Sequence, residues 1–431
     1  GLQLNSGTFV FSGTNTFTGP IKLFLNAGTI LLSNDNNLGI GGDITWEGGN
    51  IRLTTGNDWT TSRRMWVNFG GSNIDTNGQQ ATFNGGIHGV STGALNKVGA
   101  GTLILNAHST TPAAINVNAG ALRVRNNFAL GSPQTATTVA SGAQLQFDNN
   151  IFMPDEPLSI AGTGLSSTGA ILNFGGNNIH SGTVTLTAAS SIGANASSML
   201  TLAGNITGAF GLTKVGAGTL RTWGHTTYTG GTTVNGGTFL VSNVVGSGAG
   251  TGSVNVNTGA TLGGNGAFTG AANINPGGTL APGESIGTLR TGTLTLGTSS
   301  TPHAFFDLEF DIDANAADLA DVVGTVSLDR VDLVFSLAAP ITSAPGSKTF
   351  IVIRNDGSDS VNRTVNSFAS ATGIMGQLLA YAVDFDYSGT DARGLIGDGN
   401  DVAITLTYVP EPNSLLVLSA GGLLLGRRRR S

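Results

Sequence analysis

Hydrophobic and polar residues alternate in bursts of four or five, and glycine separates the bursts. In the segment Thr238–Asn243, the set Thr238, Leu240 and Ser242 points one way across a pleat, and Phe239, Val241 and Asn243 point the other. One set can face a core while the other faces water. A turn with glycine at its third place precedes each burst, at Gly28, Gly120, Gly142, Gly237, Gly259 and Gly277. Gly120 to Gly142 and Gly237 to Gly259 each span 22 residues, and Gly259 to Gly277 spans 18. An interval of this size suits one coil of a parallel β-helix, with three short strands and three turns. Glycine supplies positive φ at each corner without steric cost. Through residue 296 no apolar run follows the helical spacing between caps.

The bursts also repeat in larger blocks. Leu95-Asn-Lys-Val-Gly-Ala-Gly-Thr-Leu103 returns as Leu212-Thr-Lys-Val-Gly-Ala-Gly-Thr-Leu220. The strands that follow agree as well, Asn118–Asn126 with Asn235–Asn243, and a third copy runs from Gly7–Phe11 to Asn26–Asn34. One coil cannot bury its inner face alone, so coils must stack. Stacking pairs each backbone N–H and C=O with the next coil. The expectation is an all-β, right-handed parallel β-helix over residues 1–296, of roughly 13 coils at about 4.8 Å each, on the order of 60 Å long.

Composition sharpens this picture. Of 431 residues 67 are Gly and only 12 are Pro, without a Gly-X-Y period, so collagen is excluded. The absence of Cys excludes disulfides, thiolate zinc sites and cysteine nucleophiles. Charged residues are 10%, and the net charge is −6. Four of the 19 basic residues sit at Arg427–Arg430, which leaves 15 to face 25 acids in the body. A diffusely acidic body argues against nucleic acid as a partner. Near Gly297 acids gather (Asp307, Glu309, Asp311, Asp313, Asp318, Asp321) and strands lengthen, as in Val322–Leu328, Val331–Leu337 and Thr349–Ile353. Residues 297–408 therefore read as a β-rich terminal unit that continues or caps the coils. The sequence opens at Gly1, not Met, so a targeting segment is expected to precede it.

Residues 409–431 differ from everything before them. Pro410-Glu411-Pro412 is followed by an uncharged apolar run, Ser414–Gly426, and then by Arg427, Arg428, Arg429, Arg430 and Ser431. As a short hydrophobic helix the run spans about 20 Å, against roughly 30 Å of hydrocarbon, and inserts with local thinning and arginine snorkelling. Clustered arginine stays cytoplasmic. Pro410 and Pro412 hold the preceding segment extended.

This tripartite tail resembles the PEP-CTERM sorting signal of Gram-negative bacteria. The resemblance implies an exosortase-like membrane enzyme as partner, Pro410, Glu411 and Pro412 as its recognition residues, and transient anchoring in the inner membrane through 414–426. Arg427–Arg430 would serve as the cytoplasmic basic anchor. The Lys-Val-Gly-Ala-Gly-Thr-Leu blocks resemble the autotransporter-associated β-strand repeat. Leu280-Ala-Pro-Gly-Glu-Ser-Ile-Gly-Thr-Leu289 looks like the junction that follows such repeats, and Phe350–Asp356 and Asp398–Val402 look like its terminal part. These likenesses imply an exported structural or adhesive protein of the cell surface or extracellular matrix, with extracellular polysaccharide as a candidate ligand. An autotransporter ends in a membrane barrel of roughly a dozen amphipathic strands. The sequence shows no such stretch, so delivery by another route is expected.

Asp307, Glu309 and Asp311 share one strand face and read as a solvated edge opposite Phe306, Leu308 and Phe310, with calcium or paired-carboxylate chemistry as the alternative. Asp398-Gly-Asn400-Asp401 has the look of a calcium loop without a downstream Glu, and reads first as a turn. His88, His108, His180, His225 and His303 are scattered beyond metal-ligand spacing. A polysaccharide-cleaving enzyme would need clustered carboxylates with Lys or Arg on one face. An ice-binding protein would need Thr ranks repeated coil after coil, and Thr183–Thr187 and Thr291–Thr295 qualify only locally. Trp46, Trp59, Trp66 and Trp223 could stack on sugars or fill core corners. No cofactor and no catalytic residue is expected.

Overall fold

A computed structural model describes residues 2–408 except for short stretches at 5, 25–27, 69, 91–92, 299, 343–345, 357–358, 365–366 and 374–378. The tail carrying Pro410, Glu411, Pro412, the apolar run and Arg427–Arg430 lies outside the described residues, as does part of the third repeat copy at 26–27. Among the described residues helix is confined to two single 3₁₀ turns, Asp35–Leu38 and Leu165–Ser167, and no helix is long and apolar enough to cross a membrane. The chain is an all-β parallel β-solenoid. It divides into two compact units, Gly1–Leu262 with Gly266–Gly270, and Gly263–Asn265 with Ala271–Ser431.

In the first unit short strands stack in parallel columns, in register. Thr102–Leu105 lies beside Ala121–Val124, which lies beside Gln144–Phe147. In another column Asn177–His180, Met199–Leu202, Thr219–Thr222 and Gly237–Val241 follow one another. The alternation sets which face is buried: Leu220, Phe239 and Val241 are fully enclosed, while Thr219, Arg221 and Leu240 are half-buried. Burying one such aliphatic or aromatic side chain contributes about 1.5–3 kcal/mol, so a column of them supplies much of the cohesion.

Register stacking also lines up identical polar side chains outside. Asn73 Nδ2 donates to Asn50 Oδ1 at 2.7 Å, Asn96 to Asn73 at 2.8 Å and Asn116 to Asn96 at 2.9 Å, each partner 20–23 residues away. Each amide donates to one neighbour and accepts from the next, so the ladder keeps register without any charge.

Glycine is indispensable at the tightest corners. Gly120 has φ +69°, and a Cβ there would lie 2.5 Å from Gly101 O and 2.6 Å from Gly99 O. Gly237, its counterpart in the second repeat, has φ +60° and meets Gly218 O at 2.3 Å.

In the second unit parallel pairing continues. Leu294–Leu296 pairs with Val326–Leu328, and Ala304–Asp311 pairs with Val331–Leu337. The expected single strand Val322–Leu328 is two, Leu319–Val322 and Val326–Leu328. Gly324 turns the chain between them, against Thr293. The direction changes at the C-terminal part, where Asp401–Tyr408 runs antiparallel to both Ser347–Asn355 and Leu379–Tyr387. Phe306, Leu308, Phe310, Phe350 and Ile404 form its interior.

Gly120→Ala and Gly142→Ala separate crowding from backbone strain. Both sites have positive φ, which costs an alanine about 1–2 kcal/mol; at Gly142 a Cβ meets nothing within 4 Å. Urea denaturation should therefore show Gly120→Ala less stable than Gly142→Ala by about 2 kcal/mol, the cost of overpacking. Equal losses would contradict the corner packing.

Candidate functional site

The repeats place charge where the alternation leads one to expect grease. In Gly93–Val98 the inward positions are Gly93, Leu95 and Lys97, and Lys97 is fully enclosed. Its Nζ donates to Val98 O at 2.9 Å, Gly99 O at 2.7 Å and Ala119 O at 3.0 Å. Lys214 repeats this geometry with Val215 O at 3.0 Å, Gly216 O at 2.8 Å and Gly236 O at 2.9 Å. Burial draws both ammonium pKa values down to about 8, with Asp75 opposing the shift at Lys97. Each therefore carries its proton at neutral pH, and its three donors satisfy three corner carbonyls. The motif Lys-Val-Gly-Ala-Gly thus shapes its own corner: the glycines curl the backbone, and the lysine holds two carbonyls of that turn and one of the neighbouring coil.

A concave feature lies further along the first unit. A cavity of about 190 Å³ is lined by Asn127, Phe128, Leu130, Gly131, Pro133, Met153, Pro154, Asp155 and Glu156. Phe128 is 44% exposed, and its ring lies 5.0 Å from His108. Behind this wall the Glu156 carboxyl is buried; Oε1 accepts from Thr137 Oγ1 at 2.7 Å, and Oε2 has no partner. Burial pushes its pKa up to about 7 against the hydrogen bonding from Thr137. His180 Nε2 meets Glu156 O at 2.7 Å, and burial lowers the imidazole pKa to about 4, so the ring is neutral and donates there. The site is an apolar hollow with an aromatic rim, backed by a buried carboxyl that titrates near neutrality and a neutral imidazole held on its backbone carbonyl.

The residues singled out from sequence fall in several places. Asp307, Glu309 and Asp311 share the outer face of Ala304–Asp311, opposite the buried Phe306, Leu308 and Phe310. Nearby Asp318 is buried, accepts from Gly287 N and Glu309 N, and is pushed up to about 7 by burial. Trp46 and Trp59 are core residues, and Trp59 Nε1 donates to Asp35 Oδ1 at 3.2 Å. Trp66 is half-buried and donates to Asp43 Oδ2, whereas Trp223 is 43% exposed beside the Arg221 guanidinium. Thr291 is buried, which breaks the second Thr group; Thr185 meets Thr207 Oγ1 at 3.4 Å. The histidines are dispersed, His88 against Thr110 and His303 against Asp332. Asp398 is exposed, while Asn400 and Asp401 are buried. Sequence reasoning missed the inward lysines, Glu156 and the asparagine ladder. Asparagines 20–23 residues apart were the signal for the last.

Three segments, residues 3–32, 95–124 and 212–241, match the Passenger-associated-transport-repeat family. The second and third carry Lys97 and Lys214. A stretch of 184 residues is 34% identical to the Adhesin BmaC autotransporter of Brucella suis biovar 1 (strain 1330). It covers 42% of this chain and 5% of that protein, so the chain spans a small fraction of the relative's length.

Two substitutions test the buried charges. Lys97→Met leaves three corner carbonyls without their donor and should lower stability at pH 7 by about 3 kcal/mol in chemical denaturation; an unchanged midpoint would contradict the ammonium's role. Glu156 has its pKa raised from 4.5 to about 7 on folding. Its contribution is full below pH 4.5 and is lost as pH rises through 7. Relative to Glu156→Gln, the unaltered protein should lose about 3 kcal/mol between pH 4 and pH 8. A pH-independent difference would show that the carboxyl ionises freely.

Proposed function

We propose that the protein is an exported structural or adhesive component of the cell surface or extracellular matrix, sorted through its C-terminal tail. The observation that carries the surface role is the three-fold match to passenger repeats, reinforced by the likeness to an adhesin autotransporter. Stacked coils present repeated amide and hydroxyl groups over a long face, which suits many weak contacts in parallel rather than one tight pocket. The half-exposed Phe128 rim and Trp223 are the aromatic surfaces that would meet an extracellular polysaccharide. The acids near Asp307 and Asp318 are engaged by Ser285, Gly287 and Glu309 backbone or side-chain groups, as expected of a structural role.

Sorting is read from the tail. Pro410, Glu411 and Pro412 would be recognised by an exosortase-like membrane enzyme while residues 414–426 sit in the inner membrane. Arg427–Arg430 would hold the cytoplasmic side. Processing then releases the β-solenoid outward.

Mass spectrometry of the C-terminus of exported protein tests this reading. The expected terminus lies near Pro410–Pro412, with the Arg427–Ser431 peptide missing. Pro410→Ala, Pro412→Ala or removal of the arginines should retain or mislocalise the chain. An intact tail on exported material, with normal delivery of those variants, would contradict the sorting proposal.

A further inference from the structure

In the second unit, the strands Ser347–Asn355 and Asp401–Tyr408 meet at a knot of oxygen atoms. Asn355 N donates to Asp401 Oδ1 at 2.9 Å. The Asn355 amide donates to Asp359 O, and Asn400 Nδ2 donates to the same carbonyl at 3.0 Å. With those donors spent, Asn355 Oδ1 and Asp401 Oδ2 remain as buried acceptors that meet no donor. Their side chains are 0% and 1% exposed. Buried oxygens without a donor are costly and call for a partner.

The charge around the knot is negative. Asp398, in the turn before Asp401, is exposed; its carboxylate disfavours the Asp401 charge while its backbone N–H hydrogen-bonds the Asp401 carboxyl, and Asp356 and Asp359 are exposed close by in sequence. Arg354 feels Asp401 and Asp356, but its guanidinium is committed to Asp321, at 2.9 and 2.8 Å. Among the described residues no group of three or more His, Cys, Asp or Glu is arranged to hold a metal. The donors here are of a different kind: a buried carboxylate, a buried amide oxygen and a carboxylate in the adjoining turn. All are hard oxygens, with neither imidazole nor thiolate. That set suits calcium, which accepts Asp carboxylates and Asn carbonyls in flexible geometry; magnesium demands near-ideal octahedral geometry and dehydrates reluctantly.

We propose that Asn355, Asp398 and Asp401 form a calcium site in the antiparallel part of the second unit. The ion joins the turn at Asp398 to the end of the strand Ser347–Asn355 and neutralises the buried carboxylate. Its binding is independent of tail processing and of any adhesive ligand.

Terbium luminescence on the full chain tests the site, with Tyr387, the register partner of Asp401, as sensitiser. After chelator treatment, terbium should give a saturable signal that calcium displaces, and calcium should raise the melting temperature of the unaltered chain. Asp398→Asn is exposed and compatible with folding; it should weaken calcium binding at least about tenfold, and Asp401→Asn should abolish the displaceable signal. The proposal is overturned if the unaltered protein gives no calcium-displaceable signal at millimolar ion, as when water alone occupies the knot. It is equally overturned if both variants, shown folded by circular dichroism, bind calcium as the unaltered chain does.

Discussion

Parallel stacking in register is the constraint on which everything else rests. A coil of this chain cannot pair its own backbone or cover its own apolar face, so each depends on the coils beside it. Register then forces like onto like. Apolar columns such as Leu200, Leu220 and Phe239 form inside, and amide columns such as Asn50, Asn73, Asn96 and Asn116 form outside. The outer columns need no charge because each amide both donates and accepts. That explains how a chain with only 10% charged residues presents a polar exterior.

The corners are the second part of the same problem. A tight turn gathers carbonyl oxygens that no strand can pair. In two of the passenger-repeat segments the solution is an inward lysine, Lys97 or Lys214, holding three of them. The second unit meets a related problem at its antiparallel part, where Asp391 accepts from Ile351 N and pairs with Arg393. Beside Asn355 and Asp401 the guanidinium of Arg354 is committed to Asp321 instead, which leaves that role to the proposed ion.

Much of the fold was legible because alternation and glycine spacing carry it. Phe239 and Val241 face inward, and Gly120, Gly142, Gly237, Gly259 and Gly277 have positive φ at the turns, as their spacing implied. Val331–Leu337 was found with its bounds intact. Other features were hidden for physical reasons. Lysine ordinarily marks a solvated position, so nothing in composition turns Lys97 inward; the backbone oxygens of its own turn and of the neighbouring coil do. Val322–Leu328 reads as one apolar run because the turn at Gly324 interrupts it without a polar residue cluster. Alternation is blind to strand direction, so the antiparallel pairing of Asp401–Tyr408 left no trace in the pattern. Glu156 follows Asp155 in the sequence and nothing there separates the two; only burial, which takes Glu156 and leaves Asp155 exposed, gives it its character.

Register itself can be measured by cross-linking, because residues 1–431 contain no cysteine. Asn73 lies beside Asn96 in neighbouring coils, and Asn116 is one coil further. Adjacent parallel strands are about 4.8 Å apart, within disulfide reach, and two coils are roughly twice that. In-register stacking predicts that Asn73→Cys with Asn96→Cys oxidises readily to an intramolecular disulfide, while Asn73→Cys with Asn116→Cys does not. Efficient bridging of the second pair, or of neither, would contradict in-register stacking and with it the structural reading built upon it.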